Sequence, residues 1–395
     1  MEQPRRFSDL PEYAFPRLRK LLAPYSPGAA PVAMSIGEPQ HAVPPMVSEI
    51  IARHGADFSR YPPNEGTEDL REAISAWVAR RYGVRGPDPE TTILPLNGTR
   101  EGLFNAALAL SPEQKDGQRP VVLLPNPFYQ CYAVAALAVG AEPVYVPATS
   151  ETGFLPDFAA VDPGLLARTT IVYMCSPSNP QGAVADLAYW RGLLELAEKY
   201  DFRVFADECY AEIYRDTPPP GVLEAVAAAS ADPERVVAFH SLSKRSNVPG
   251  LRSGFAIAGP RAMVELKQLR NYAGAPLPLP LQHAAAALWR DEAHVVENRS
   301  LYARKFQDAD DILGNMPGYT SPRAGFFLWL AVGDGEAAAL RLWREAGVKV
   351  LPGAYLSRAA GPGAENPGQG YIRAALVADR EEVRRGLQAI KGVLG

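Results

Sequence analysis

The sequence predicts an α/β fold, with a large body on a mostly parallel seven-stranded sheet and a smaller α+β body after it. Three observations carry this. The chain has 395 residues, 47% hydrophobic and 21% charged, which is too long for one ordinary core and suits a large domain plus a small one. Short apolar runs rich in Val and Ile alternate with helical stretches, the pattern of a sheet covered on both faces. Beyond residue 280 that alternation yields to long helices and a few separated strands.

Composition narrows the function classes. A formal net charge of -4 gives no basic surface for nucleic acid. Three scattered cysteines, Cys131, Cys175 and Cys209, supply neither a disulfide framework nor a CxxC metal knot, which points to a reducing compartment. Histidines 41, 54, 240, 283 and 294 show no metal-ligand spacing, so no metal is expected. The N-terminus, MEQPRRFSDLPEYAFPRL, carries prolines and charges where a signal peptide needs an apolar run. No stretch reaches membrane-spanning length without a charge, Pro or Gly. The expectation is a soluble, cytoplasmic protein.

In chain order, residues 1–35 read as an arm, proline-rich with a short amphipathic piece over 15–22. Ser35-Ile36-Gly37-Glu38-Pro39 follows, where Gly37 permits close backbone approach to a ligand or makes a simple turn. A turn-rich loop over 60–66 precedes an amphipathic helix over 67–82, with Leu70, Ile74, Trp77 and Val78 on one face. Strands are expected at 91–96, 121–124, 143–146, 170–174, 203–206, 235–239 and 251–258, and helices at 101–110, 128–138 and 186–200. A helix over 261–272 and a Pro/Gly-rich break over 274–280 close the large body. One long helical connector over 281–313 leads to strands at 325–331, 349–351 and 371–375 and helices at 336–346 and 380–393. The expected division is 1–45 as an arm joined to the small body, 46–280 as the large body, and 281–395 as the small one.

Sites in such sheets lie at the carboxyl ends of strands. That rule brings 97–100, 125–129, 176–182, 207–210 and 241–244 to one rim. Asn97-Gly98-Thr99-Arg100 is a strand–turn–helix junction whose free N–H groups suit an anion. In Ser176-Pro177-Ser178-Asn179-Pro180-Gln181-Gly182 two prolines stiffen a loop that presents the Asn179 carboxamide, or that makes a tight turn using the left-handed tolerance of Asn. Asp207 ends a strand, three residues before Tyr210. A carboxylate there needs a cationic partner, unless it merely caps a helix. Ser241, Ser243, Lys244 and, eight residues on, Arg252 combine a lysine that burial would make nucleophilic with hydroxyl and guanidinium donors for a phosphate. An amine and a phosphate cup are what pyridoxal phosphate needs. A plain polar loop with a solvated Lys-Arg pair fits the same residues taken alone.

Together SLSKRSNVPGLRSG, DECY at 207–210 and SPSNPQG at 176–182 resemble the class I/II aminotransferases of fold type I, which use pyridoxal 5'-phosphate. Asn179, Asp207 28 residues later and Lys244 37 beyond keep that family's order. SIGEP, LNGTREGLF, PNPFYQCY, DECYAEIY, HSLSKRSNVPGLRSGF and VLPGAYL are more narrowly similar to N-succinyldiaminopimelate aminotransferases of lysine biosynthesis. The resemblance implies that Lys244 forms the internal aldimine and moves the proton, while Asp207 keeps the pyridine nitrogen protonated. It implies that Tyr210 and Asn179 bond the ring oxygen and Tyr129 stacks on the ring. Gly98, Thr99, Arg100, Ser241, Ser243 and Arg252 would hold the phosphate, with Tyr61 reaching that of a neighbouring subunit in a homodimer. Arg373 would clamp the substrate α-carboxylate beside Gly37, with Tyr129 and Asn179 also facing the substrate. The implied reaction passes an amino group from N-succinyl-LL-2,6-diaminoheptanedioate to 2-oxoglutarate by ping-pong steps. Aspartate, aromatic and LL-diaminopimelate aminotransferases are the alternatives. Gln40, Ala42-Val43, Gln181 and residues 270–281 depart from the family's usual wording. They fall where side-chain selectivity is decided.

Overall fold

Along Val236, Val237, Ala238 and Phe239 successive side chains enter opposite cores. Val236 and Ala238 meet Trp190, Leu193 and Leu194 of the helix Leu187–Tyr200. Val237 and Phe239 meet Leu103 of the helix Thr99–Leu110 and Tyr132 of the helix Gln130–Ala138. This period of two, apolar on both sides, is what a strand buried between two helical layers requires.

The computed structural model describes residues 7, 10, 12–361 and 363–395; the expected arm's residues 1–6, 8, 9 and 11 lie outside them. Its strands are β1 (Val32–Ala33), β2 (Ile93–Leu96), β3 (Val121–Asn126), β4 (Glu142–Pro147), β5 (Thr169–Cys175), β6 (Arg203–Asp207), β7 (Val236–Ser241), β8 (Gly254–Ala258), β9 (Phe327–Ala331), β10 (Val348–Lys349), β11 (Leu351–Pro352) and β12 (Tyr371–Ala375). Seven form one sheet in the order β2-β8-β7-β6-β5-β3-β4. Only β8 runs against its neighbours, because it returns directly from β7 without a crossover helix across the sheet. The sheet is the mostly parallel seven-stranded one expected. Its register sets Cys175 beside Asp207, Asp207 beside Phe239, and Ser241 beside Gly254, so the polar strand ends share a rim.

Local chemistry sets the helix boundaries. Thr67 caps the helix Glu68–Tyr82 by accepting the N–H of Leu70, and Gly83 ends it at a φ of 64°. Asp186 caps Leu187–Tyr200 through the N–H of Tyr189. The strand expected from 251 begins only at Gly254. Pro249–Leu251 is a 3₁₀ turn and Arg252 sits in the left-handed region at φ 55°.

The single helix expected over 281–313 is two, Leu279–Arg290 and Ala293–Leu313. Asp291 is extended between them. Arg245, fully buried, draws the carbonyls of Leu288 and Asp291 out of the helical ladder, and the Asp291 carboxylate accepts the N–H of His294 to start the next helix. The first of the pair packs with Trp77, Phe255 and Ile257 on the large sheet's helical flank. We therefore propose the break at Asp291 as the division between the bodies.

The small body is the antiparallel sheet β11-β12-β9 with the parallel pair β1–β10 beside it. It packs on the helices Ala293–Leu313, Gly335–Ala346 and Arg380–Leu394. Cys175, Tyr210 and Ile213 from the large sheet's rim enter its core with Phe326 and Phe327, so the two bodies meet at the rim. Among the described residues no helix is long and apolar enough to cross a membrane.

Trp77 is the keystone of the flank, its ring centroid 4.8 Å from that of Trp289 and 5.0 Å from that of His240. Trp77→Ala should lower stability by about 3–5 kcal/mol through the cavity left behind. Urea unfolding followed by far-UV circular dichroism measures it, and an unchanged midpoint would refute the packing role.

Candidate active site

Lys244 stands one turn past the end of β7, on the short helix Leu242–Arg245 that Ser241 caps by accepting the N–H of Ser243 at 3.1 Å. Its amine is buried and donates to the Gly37 carbonyl at 2.7 Å. Burial, with the Arg373 guanidinium adding repulsion, brings its pKa down from 10.5 to about 8. Gly37 has no room for a side chain, since a Cβ there would lie 2.4 Å from the Phe327 ring. The close approach that lets this carbonyl reach Lys244 depends on glycine.

Asp207, 6% exposed, closes β6 beside the lysine. One oxygen accepts the Tyr132 hydroxyl at 2.6 Å and the other the Cys209 N–H at 3.2 Å. Among the described residues no cationic side chain pairs with it. A buried carboxylate oriented by two neutral donors and facing a cavity has one charge left to satisfy, which suits a ligand's protonated ring nitrogen. Tyr132 was not among the residues singled out from the sequence. The signal that could have found it is its place in PNPFYQCY, one helical turn after Tyr129. Tyr210 lies nearby, edge-on to Phe326 and Phe327, its phenol pushed well above the ordinary range by burial.

Arg373 arrives from β12 of the other sheet. Its Nη1 donates to Asn179 Oδ1 at 3.0 Å and its Nη2 to the Ser35 carbonyl at 2.7 Å, while Nε is buried without a partner. The guanidinium lies 4.2 Å over the Phe327 ring. Burial pulls its pKa down to about 10, which still leaves it cationic at neutral pH. A buried guanidinium held only by neutral oxygens is prepared for a carboxylate.

At the other end Gly98 turns at φ 83° into the helix Thr99–Leu110. A Cβ on Gly98 would lie 2.2 Å from Nη2 of Arg252, so this glycine lets the guanidinium cross the helix start. Arg252 donates to the Pro249 carbonyl at 2.8 Å. With Thr99, Ser241 and Ser243 it surrounds a place where an anion would meet hydroxyls, a helix N-terminus and a cation. Arg100 turns to donate to the Tyr129 hydroxyl at 2.5 Å. Burial holds that phenol up at about 12.

These groups line one cavity of about 490 Å³. Lys244, Asp207, Tyr210, Asn179, Arg373, Tyr129, Thr99, Arg100, Ser241, Ser243, Arg252 and Gly37 are all on its wall. Gly98 adjoins it through Arg252. Tyr61 does not line it: the side chain is fully exposed. Tyr13 and Phe15, from the N-terminal segment, also reach the wall, and no pattern in their surroundings foretells it. An amine of low pKa, an unpaired buried acid and an anion cup fit pyridoxal phosphate, and the cup depends on Gly98, since a Cβ there would displace the Arg252 guanidinium.

Residues 30–390 match the family aminotransferase class I and II. An LL-diaminopimelate aminotransferase of Dehalococcoides mccartyi is 32% identical over 397 residues, covering 98% of this chain and 97% of that protein. A crystal structure of an aminotransferase from Neisseria meningitidis superposes with a TM-score of 0.93 at 37% identity, covering 99% of each chain. A probable N-succinyldiaminopimelate aminotransferase from Thermus thermophilus gives a TM-score of 0.84 at 27% identity, over 96% of this chain and 100% of that one.

The depressed amine makes a pH prediction. At pH 8 about half of Lys244 is neutral, against about 0.4% of an ordinary lysine. Capture of pyridoxal phosphate by the cofactor-free protein should therefore accelerate with an apparent pKa of about 8 and level off above it. Stopped-flow absorbance reads the rate. A rise that continues to the ordinary lysine pKa of about 10.4 would remove the premise.

Proposed function

The chain belongs to the class I and II aminotransferases, which depend on pyridoxal phosphate, and from that premise we propose its substrates. It moves the amino group of N-succinyl-LL-2,6-diaminoheptanedioate to 2-oxoglutarate, yielding the corresponding 2-oxo acid and glutamate, in diaminopimelate and lysine biosynthesis. The observation that carries the reaction class is the convergence of Lys244, Asp207 and Arg373 on one cavity.

When bound, pyridoxal phosphate supplies a carbon that takes the donor nitrogen and a ring that accepts the electron pair released at Cα. Lys244, half neutral near pH 8, takes the Cα proton and delivers it again on the other side of the reaction. Asp207, kept in line by Tyr132, holds a proton on the ring nitrogen. Arg373 grips the α-carboxylate, fixed by Asn179 and the Ser35 carbonyl, and so sets the Cα–H bond toward Lys244. Donor and acceptor share that α-carboxylate, so one clamp serves both half-reactions and ping-pong kinetics follow. The fully exposed Tyr61 suits a role across a homodimer, at the phosphate of the neighbouring subunit.

The succinylated and free donors share the diaminoheptanedioate skeleton and differ only at the distal end. Arg100, exposed at the cavity wall, suits the added carboxylate of a succinyl group. Glu38, on the same wall, suits the second ammonium of unacylated LL-diaminopimelate. That second reading is favoured by the D. mccartyi relative's name. The two donors, each with 2-oxoglutarate, decide between them: kcat/KM should favour the succinylated donor by about tenfold or more, the worth of one well-made ionic contact. Preference for the free diamine transfers the assignment to LL-diaminopimelate. Arg373→Lys should raise KM for donor and acceptor alike, by about a hundredfold, because an ammonium cannot make the bidentate contact. A change confined to one substrate would refute the shared clamp.

A further inference from the structure

Outside the cavity wall, the structure brings His283 to His54 and Asp57. His54 ends the helix Met46–Arg53, Asp57 lies in the 3₁₀ turn Gly55–Ser59, and His283 is on the helix Leu279–Arg290. One ligand atom from each lies within 4.8 Å of the others. Asp57 Oδ2 is 3.3 Å from His54 Nδ1 and 3.6 Å from His283 Nε2.

The two separations to Asp57 Oδ2 are close to the edge of a small tetrahedron. With metal–ligand bonds of about 2.0–2.2 Å, neighbouring ligand atoms in a tetrahedral zinc site stand about 3.3–3.5 Å apart. The carboxylate is divided in the matching way. Arg60 holds Oδ1, which fixes the carboxylate and leaves Oδ2 to the imidazoles, as outer groups orient a ligating oxygen. Both imidazoles face the same carboxylate oxygen. His41 has its ring nitrogens engaged by Asn298 and Lys305, and His294 by Asp291 and Ser246, whereas among the described residues the hydrogen bond of the His54 ring goes to Asp57, the carboxylate that His283 Nε2 also faces at 3.6 Å. Their rings lie stacked, 3.9 Å between centroids and 21° between planes. Parallel rings do not aim both nitrogens at one point, so binding requires the partly exposed His283 ring to turn.

We propose that His54, Asp57 and His283 form a binding site for a divalent transition ion of the zinc type, with a fourth position open to water. Two imidazoles and one carboxylate are a donor set that selects such ions over magnesium or calcium. The ion joins the base of the segment carrying Tyr61 to the helical flank of the large sheet. It is independent of the transamination chemistry, and it is read without activity.

The test uses the cofactor-loaded enzyme, stripped with chelator and titrated with Zn²⁺ by calorimetry in a non-coordinating buffer near neutral pH. About one ion per chain should bind, and His54→Asn, Asp57→Asn or His283→Asn should each weaken binding about tenfold or more. Co²⁺ in place of Zn²⁺ should give the intense visible bands of a four-coordinate ion, absent in Asp57→Asn. Circular dichroism and cofactor absorbance verify that the variants fold. No saturable binding by the wild type, binding indifferent to all three substitutions, or the weak bands of six-coordinate Co²⁺ would each overturn the site.

Discussion

Three charged groups taken out of water without a counter-ion govern this molecule. Among the described residues neither Lys244, Asp207 nor Arg373 forms an ion pair, although all three face one cavity. Each is instead oriented by neutral groups: a carbonyl, a phenol and an amide, a carboxamide and another carbonyl. Such an arrangement is costly. The displacement of Lys244 from 10.5 to about 8 corresponds to about 3 kcal/mol. Because the unfolded chain keeps that proton above pH 8, the cost is present in full below about pH 8 and fades as pH rises toward 10.5. Two apolar layers around the sheet offset it. The unmet charge is the chemical potential of the site, since a ligand carrying a phosphate, a ring N–H and a carboxylate satisfies what the protein leaves open.

The geometry of that site needs both bodies. β5, β6 and β7 lie side by side and set Asn179, Asp207 and Lys244 at successive strand ends, but Arg373 belongs to another sheet. The segment 35–41 ties them. Its Ser35 and Gly37 carbonyls receive Arg373 and Lys244, and His41 at its far end hydrogen-bonds Asn298, whose amide donates to the Lys244 and Arg245 carbonyls. Buried Lys305 completes the line by donating to His41 and the Val377 carbonyl. Lys244 is thus held at its amine, and through Asn298 at its backbone, by the same strap.

Asn179 illustrates how context redirects a recognisable residue. The two prolines around it are legible as a stiff presenting loop, and the carboxamide does face the cavity. Its oxygen, however, is given to Arg373 rather than left free. Arg100, expected among the phosphate holders, likewise turns its guanidinium to the Tyr129 phenol.

The sequence by itself determined the alternation of apolar runs and helices, hence the sheet, its rim and the motifs arrayed on it. Periodicity and capping act within a turn or a strand, so Val236–Phe239 or the Thr67 cap carry their own instructions. In a parallel sheet each strand–helix unit returns the chain to the same edge, which turns the order Asn179, Asp207, Lys244 into neighbours in space. Only the tertiary structure decided the rest. The break at Asp291 is drawn by Arg245, 46 residues earlier. Tyr132 becomes the partner of Asp207, Tyr61 is left outside the cavity of its own chain, and His54 meets His283. Each of those outcomes rests on packing between segments distant in the chain, and desolvation, the force that gives the buried groups their chemistry, exists only once that packing has closed.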